Sequence, residues 1–213
     1  MKGVKFGNYH SYYEWGLVLK EKEIQSPKPK VYQIEVEGGD GVIDMTDFFG
    51  NTKYDNRELS FVFYKPNALP DGFLALMSVI QEAIHGQKMQ IVLDDDPSHF
   101  YIGRVSINKW KSKKRIGEIV IEVDAEPFKQ EAWETVSTHT VSSNANITLA
   151  NSKMPVVPTI TTNAEFLISY GGYNDTYPAG TFTIPELELI EGNNQVYVEG
   201  TGTITFSYRK GRL

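Results

Sequence analysis

The sequence predicts a mainly β protein with two domains, an α+β domain over residues 1–130 and a β-sandwich over residues 131–213. Strand-like segments with alternating apolar residues recur along the whole chain, and one segment alone has helical spacing. Charge also changes along the chain: residues 1–130 hold 17 Lys and Arg against 19 Asp and Glu, whereas residues 131–213 hold 4 against 8. A sparsely charged second part rich in Thr, Ser, Asn and Gly is typical of a β-sandwich.

Alternation in the first part predicts strands over residues 29–36 and 56–64, each with one apolar face. Between them, Gly38-Gly39-Asp40-Gly41 predicts a tight turn, because Gly accepts positive φ angles. Further strands are predicted over residues 89–93, 100–107 and 117–128, joined by turns at 94–98 and 111–115.

The segment over residues 70–86 breaks the strand pattern. Its apolar residues recur at i, i+3, i+4 and i+7, which predicts one amphipathic helix packed on the sheet. Gly86 stands where a helix C-cap belongs. The residues on the predicted buried face are Phe73, Leu76, Met77, Ile80 and Ile84.

Short strands separated by Gly-rich or Pro-rich turns follow in the second part, and this spacing predicts an all-β sandwich. The last two strands, over 194–199 and 203–209, alternate apolar and polar residues and predict a hairpin. The other predicted strands lie over residues 156–160, 164–170, 181–184 and 187–190.

Composition narrows the classes of function. The net charge of −6 and the pI of about 5.3 argue against general binding to nucleic acid or anionic membranes. The absence of cysteine excludes disulfides, thiolate metal sites and cysteine nucleophiles. No apolar run approaches the ~20 residues that span a bilayer, and the first residues lack a secretory core, so we expect folding in a cytoplasm without membrane insertion.

Catalytic and cofactor motifs are not found. The acidic run over residues 94–99 lacks the spacing of an EF-hand or zinc site, so a solvated turn is the favoured interpretation. The turn over residues 38–41 lacks the spacing of both glycine-rich phosphate motifs. No GxSxG elbow or serine–histidine arrangement occurs. We therefore expect a protein that is not an enzyme and has no cofactor or metal.

The most concentrated positive charge lies at Lys111, Lys113, Lys114 and Arg115, directly after Trp110. A basic run with a neighbouring aromatic residue is compatible with nucleic-acid binding. An exposed hairpin tip that is solvated or contacts another subunit is favoured over that alternative.

Four aromatic residues of the second part form the best candidate for a carbohydrate-stacking surface, because loops of β-sandwiches often carry such sites. Aromatic residues near strand ends are more often core plugs or turn anchors, so both interpretations stay open. The four residues are Trp133, Tyr170, Tyr173 and Tyr177.

The order of elements in residues 1–130 resembles the N-terminal domain of distal tail proteins (Dit) of siphophages, the phages with long flexible tails. The order carries the resemblance, since no single motif within it is diagnostic. In sequence, the elements are Phe6-Gly7, Pro27-Lys28-Pro29, the Gly-Asp-Gly turn, the strand that begins with Arg57, the helix, and Pro127-Phe128.

The resemblance implies that residues 1–130 build a hexameric ring at the virion tail tip, in a particle made in the host bacterial cytoplasm. Such a ring joins the tail tube protein to the tail-associated lysin or fibre hub, and DNA passes through its channel without specific binding. For residues 131–213 it implies a peripheral galectin-like β-sandwich, with a receptor-binding protein or host glycan as a further partner. We expect residues 38–52 and 100–126 to supply part of the contact between subunits.

Two alternatives remain at this level. One is a carbohydrate-binding module fused to a small α+β domain. The other is a tail-tube or baseplate component of a contractile system or prophage-derived particle, because tube and hub domains share a plan of one sheet and one helix.

Overall fold

A computed structural model of the chain describes residues 3–48, 50–113 and 115–213, with only the backbone of Lys113. It divides into two compact units, Met1–Pro127 and Phe128–Leu213. The boundary expected from the sequence, after residue 130, lies three residues further along.

The first unit is an antiparallel sheet with one helix. Seven of its strands form the path β2-β1-β7-β8-β9-β6-β3, and β4 pairs with β5 in a separate two-stranded sheet. The elements are β1 (Val4–Phe6), β2 (Tyr9–His10), β3 (Val18–Ile24), β4 (Gln33–Glu35), β5 (Val42–Asp44), β6 (Arg57–Pro66), α1 (Pro70–Ile84), β7 (Lys88–Leu93), β8 (Asp96–Lys113) and β9 (Ile116–Ala125).

The core of this unit lies on the side of β6 that carries its alternating apolar residues. Leu59, Phe61 and Phe63 are fully buried, as their period of two predicts. The ring of Phe6 on β1 meets those of Phe61 and Phe63 edge-on, with centroid distances of 5.9 and 6.2 Å. Strands far apart in the sheet path therefore share one aromatic core.

Helix α1 confirms the helical prediction. It ends at Ile84, and Gly86, two residues further on, has a φ of +75°, a left-handed conformation that suits glycine after a helix. Leu76 is half-buried. The buried residues of the helix are Phe73, Met77, Ile80 and Ile84. No helix among the described residues is long and apolar enough to cross a membrane.

Three local predictions in the first unit differ from the structure. The strand predicted over residues 29–36 is confirmed only over β4, and its apolar face is not buried, because every residue of β4 and β5 is exposed. The turn predicted over 94–98 is shorter, because Leu93 already pairs with Asp96. The turn predicted over 111–115 is also shorter, since β8 pairs with β9 as far as Lys113 and Ile116. In long hairpins the hydrogen-bonded strand pairs continue into polar residues, which a sequence pattern assigns to the turn.

The second unit is a sandwich of two four-stranded antiparallel sheets, β11-β18-β13-β16 and β12-β17-β14-β15. This confirms the predicted fold class, a mainly β chain with one helix. The strands are β10 (Lys129–Glu131), β11 (Thr135–Val141), β12 (Asn144–Asn151), β13 (Thr159–Thr162), β14 (Phe166–Tyr170), β15 (Tyr173–Tyr177), β16 (Gly180–Thr183), β17 (Gly192–Gly200), β18 (Gly202–Tyr208) and β19 (Gly211–Arg212).

The hairpin predicted from the last two long strands is wrong. β17 and β18 are joined by Thr201 alone, yet they lie in different sheets of the sandwich. The flanking Gly200 and Gly202 have φ angles of +156° and +155°, which few other residues adopt. The chain therefore crosses from one sheet to the other at this point, and each strand turns its apolar face to the shared core.

Two other predicted strands are displaced. The segment 187–190 is not a strand, although Leu187 and Leu189 are fully buried. Leu189 makes only an isolated bridge to Val156, and the strand predicted over 156–160 begins at Thr159 instead. Apolar residues that plug the sandwich from a loop have the same spacing as one face of a strand.

Candidate functional site

The most unusual surface of the first unit is the two-stranded ribbon of β4 and β5, which we call the arm (residues 31–48). Gln33 pairs with Asp44 and Glu35 pairs with Val42. The ladder begins below the arm, where the amide of Lys30 donates to the carbonyl of Lys53 at 2.8 Å. The ribbon is thus anchored at its base and joins no other sheet of the described chain.

Local hydrogen bonds explain how the arm holds its shape. Gly38 and Gly41 have φ angles of +78° and +79°, and the amide of Gly39 donates to the carbonyl of Val36 at 3.0 Å. The carboxylate of Asp44 accepts the amide of Thr46 at 2.9 Å. Hydrogen bonds from the Thr46 side chain and backbone lower the pKa of Asp44. The glycine-rich segment is a turn, as predicted.

Large apolar side chains cover the arm without a core beneath them. Their exposed fractions run from 48% to 68%. They are Val31, Tyr32, Ile34, Val36, Val42, Ile43 and Phe48. Contiguous exposed apolar surface of this kind marks interaction sites in soluble proteins.

The arm is also strongly acidic. Its 18 residues contain five carboxylates and no Lys or Arg. The acidic residues are Glu35, Glu37, Asp40, Asp44 and Asp47. The combination of apolar residues with charge of one sign can be read from the sequence, but the exposure of those apolar residues is seen only in the structure.

The second surface is the end of the β8–β9 hairpin, which we call the basic tip (residues 109–115). It holds five basic residues and no acidic residue. Lys109 and Arg115 are exposed. Lys114 lies outside the described residues, as does the side chain of Lys113. Beside the tip, the side chain of Ile116 is 57% exposed.

Trp110 and Lys111, which the sequence suggests as contacts between subunits, also have partners within the chain. The indole of Trp110 meets the ring of Phe73 at 6.0 Å and stays 40% exposed. The Nζ of Lys111 lies 2.6 Å from a carboxylate oxygen of Glu118, and the other oxygen lies 3.4 Å from the Nζ of Lys20. The hydrogen bond from Lys111 is the main cause of the lowered pKa of Glu118. Whether this tip contacts another subunit stays a prediction.

The acidic run after β7 binds side chains of the chain itself. The carboxylate of Asp94 accepts the ring Nε2–H of His10 at 3.0 Å and the amide of Gly3 at 2.6 Å. Asp95 pairs with Lys22, and Asp96 lies 2.8 Å from the Nδ1 of His99. Within the described part of the chain, no group of three or more His, Asp or Glu side chains is placed to hold a metal. Nothing in the sequence spacing signals the pairing of His10 with Asp94.

Three of the four aromatic residues suggested for sugar stacking come together at one edge of the sandwich. The hydroxyls of Tyr173 and Tyr177 are hydrogen-bonded, and this bond raises the pKa of Tyr173. Tyr177 stacks on Phe182 with a centroid distance of 4.6 Å. The hydroxyl of Tyr170 donates to the Asn194 side chain at 2.8 Å. All three tyrosines pack against the core of the unit, which favours the plug interpretation.

Trp133 differs from these tyrosines. It lies between β10 and β11, and 71% of its surface is exposed. The structure does not place it with Tyr173 and Tyr177 on strand β15. A glycan site built from all four residues stays a prediction.

Comparison with known proteins identifies the fold. No protein-family model matches the chain, and no curated protein sequence matches it significantly. Among solved structures, the Dit (gp 19.1) protein of phage SPP1 matches over 100% of both chains, with a TM-score of 0.74 and 13% sequence identity. That protein is described as a paradigm of the hub adsorption apparatus in phages that infect Gram-positive bacteria.

The chain has the fold of a distal tail protein. The match spans both units, so the resemblance predicted for residues 1–130 holds in fold for the second unit as well. At 13% identity the similarity is one of fold, which persists after side chains have diverged.

Proposed function

We propose that this chain is a structural subunit of a phage tail tip that assembles head to tail into a hexameric ring. In this role the first unit builds the ring and the second unit lies at its periphery. The ring joins the tail tube protein to the tail-associated lysin or receptor-binding apparatus. The distal tail fold supports this role. The exposed apolar surface of the arm is the main observation in its favour.

The arm supports assembly because its apolar side chains are not buried against the described part of the chain. Six of its large apolar side chains belong to residues 31–43, and each is about half exposed. Burying such a side chain typically contributes ~1.5–3 kcal/mol, so leaving them in water makes the isolated chain less stable than an assembled one. A ring subunit that inserts its arm into a neighbour would remove that surface from water.

Geometry favours a ring over a symmetric dimer. A ribbon that binds a different surface on its neighbour makes a heterologous contact, and such contacts close into rings when the rotation between copies permits. When the surface that receives the arm lies on a different part of the chain, every copy offers one arm and one such surface. In a closed hexamer every arm is bound and every binding surface is occupied.

The acidic balance of the chain suits passage of DNA through the ring. With a net charge of −6 the chain offers no general attraction for the phosphate backbone. A channel that held DNA tightly would retard its movement. Transit without specific binding is therefore part of the proposal.

Solution mass tests the proposal. Light scattering behind size exclusion, with negative-stain images of the peak, should give six copies of the 24.1 kDa chain, about 145 kDa, as a ring with a central hole. A monomer at every concentration up to the solubility limit contradicts self-assembly.

A shortened arm tests the observation that carries the proposal. Replacing residues 33–44 by Asn-Gly closes the ribbon directly after Tyr32, whose carbonyl accepts the amide of Met45 at 2.7 Å. We expect a folded monomer. Gly171→Asn is a suitable control, because it changes another two-residue turn, with a φ of +57° that Asn tolerates, in the second unit. A ring that persists without the arm would remove the role we assign to it.

A further inference from the structure

We infer that the arm of one copy binds the basic tip of the next copy, and that opposite charge selects this pairing. This inference rests on the proposed function, because it names the surface that receives the arm in the ring.

Charge is the first argument. The arm carries five acidic residues and no basic one, whereas the basic tip carries five basic residues and no acidic one. The chain has 21 basic residues and a net charge of −6. Five of those basic residues lie within the seven positions of the tip. The other 16 Lys and Arg residues are spread along the chain, so the tip is its most concentrated run of positive charge.

Charged side chains without an ion pair within the described chain provide the second argument. Within the described residues, Glu35, Glu37 and Asp40 of the arm form no ion pair, and neither do Lys109 and Arg115 of the tip. These charges are exposed and remain available to another copy. In contrast, Asp44 accepts a hydrogen bond from Thr46 within the arm, Asp47 accepts one from Thr52 just beyond it, and Lys111 pairs with Glu118.

Apolar surface is the third argument. The tip region presents Trp110, which is 40% exposed, and Ile116, which is 57% exposed. The arm presents Ile34 and its cross-strand partner Ile43 on one face, exposed by 53% and 51%. Both surfaces therefore combine apolar side chains with charged ones, the composition of a protein interface with an apolar centre and a charged rim.

The physical role of the charges is selection. Like charges placed together disfavour arm on arm and tip on tip, whereas opposite charges favour arm on tip and speed encounter. Screening shortens the range of this effect from about 10 Å at 0.1 M salt to about 3 Å at 1 M. Assembly should therefore weaken as salt rises, although apolar burial alone strengthens under the same change.

Charge reversal provides the test. An arm-reversed chain carries Glu35→Lys, Glu37→Lys and Asp40→Lys, which leaves the internal hydrogen bonds of Asp44 and Asp47 intact. A tip-reversed chain carries Lys109→Glu, Lys113→Glu and Arg115→Glu, which leaves the pair of Lys111 with Glu118 intact. Circular dichroism confirms that each chain is folded.

The expected result is mutual rescue. Each reversed chain alone should assemble at least about tenfold less well than wild type, because its arm and tip then carry the same sign. An equimolar mixture should form rings in which the two chains alternate, since each arm then meets a tip of opposite sign. On dilution, wild-type rings should dissociate at a higher protein concentration in about 1 M salt than in about 50 mM salt.

A matched control separates local from overall charge. Glu165→Lys, Glu186→Lys and Glu188→Lys, on exposed positions of the second unit, make the same change in net charge as the arm-reversed chain. This chain should assemble like wild type.

The outcomes distinguish the two proposals. If wild type forms rings and each reversed chain alone also forms rings, the charge pairing is overturned and the ring proposal stands. The same conclusion follows if wild type forms rings but the mixture of reversed chains does not. Monomers from wild type and from the mixture overturn both. Rings from wild type and from the mixture, with monomers from each reversed chain, support both.

Discussion

The ring of Phe73, the first buried residue of helix α1, lies directly over Gly117 of strand β9. Gly117 is itself buried, and a Cβ built there would overlap three atoms of that ring. Glycine at this position lets the helix approach the sheet closely enough for the ring of Phe73 to pack directly against the strand.

This contact predicts the effect of adding one methyl group. Gly117→Ala should lower the free energy of unfolding by about 2–3 kcal/mol, because the ring or the helix must move. Urea denaturation measures the change. Gly72→Ala is the matched control: it lies in α1 with open space around its Cβ position, and should raise stability by up to about 1 kcal/mol. Equal effects at the two sites would contradict this account.

A second prediction concerns Asn194 in the sandwich core. Its Oδ1 accepts the hydroxyl of Tyr170 at 2.8 Å and the amide of Ile190 at 3.0 Å, while its Nδ2 donates to the carbonyls of Ile190 at 2.8 Å and Leu149 at 3.2 Å. Asn194→Ala should destabilise the second unit by about 3 kcal/mol, because several buried groups lose their partner.

The neighbouring residue supplies the comparison. Asn193 is exposed, and Asn193→Ala should change stability by no more than about 0.5 kcal/mol. Thermal unfolding of both variants measures the difference. A mild effect at Asn194 would mean that water replaces the amide and that the loop before β17 is held by other contacts.

A third prediction follows from the lowered pKa of Glu118. Its ordinary value is 4.5, and the hydrogen bond from Lys111 lowers it. Because the folded-state pKa lies below the unfolded one, the contribution to stability is present above about pH 4.5 and is lost as the pH falls through the folded-state value. Lys111 is 59% exposed, so the contribution should stay below about 1 kcal/mol.

Comparison of wild type with Glu118→Gln in urea, at stepwise lower pH, measures this effect. The difference in unfolding free energy should be constant from neutral pH to about pH 5 and should shrink below that. Lys111→Ala should abolish most of it. A difference that grows as the pH falls has the wrong sign for this pair.

A fourth prediction separates the aromatic residues of the second unit. Tyr177→Ala should cost about 2–4 kcal/mol, because it removes the stack on Phe182 and opens the edge of the sandwich. Trp133→Ala should cost less than about 0.5 kcal/mol, since the indole is 71% exposed. Chemical denaturation measures both, and a glycan array on folded Trp133→Ala then tests sugar stacking without a stability artefact.

Helix α1 can be predicted from sequence because its period of 3.6 over 15 residues has few alternative interpretations. The strands of the arm show the limit of the same reasoning. Alternation over Tyr32, Ile34 and Val36 predicts an apolar face, but it does not state whether anything in the same chain covers that face. Whether a distant element or another molecule covers a strand is not encoded in its local pattern.

The pairing of strands shows a second limit. Sequence neighbours usually form hairpins, so β17 and β18 predict one, yet they belong to opposite sheets. β18 instead pairs with β11, with Thr135 opposite Tyr208, more than 70 residues away. Partners at that separation are chosen by how both sheets fill one core, so the sequence predicts the sandwich but not its connections.

The arm has one consequence for the life of the free subunit. A two-stranded ribbon with exposed apolar faces and two unpaired edges is a template on which further strands can add, and such segments aggregate. The five carboxylates of residues 31–48 place like charges on any two arms that approach each other. The same residues thus oppose the pairing of one arm with another and act as gatekeepers against aggregation.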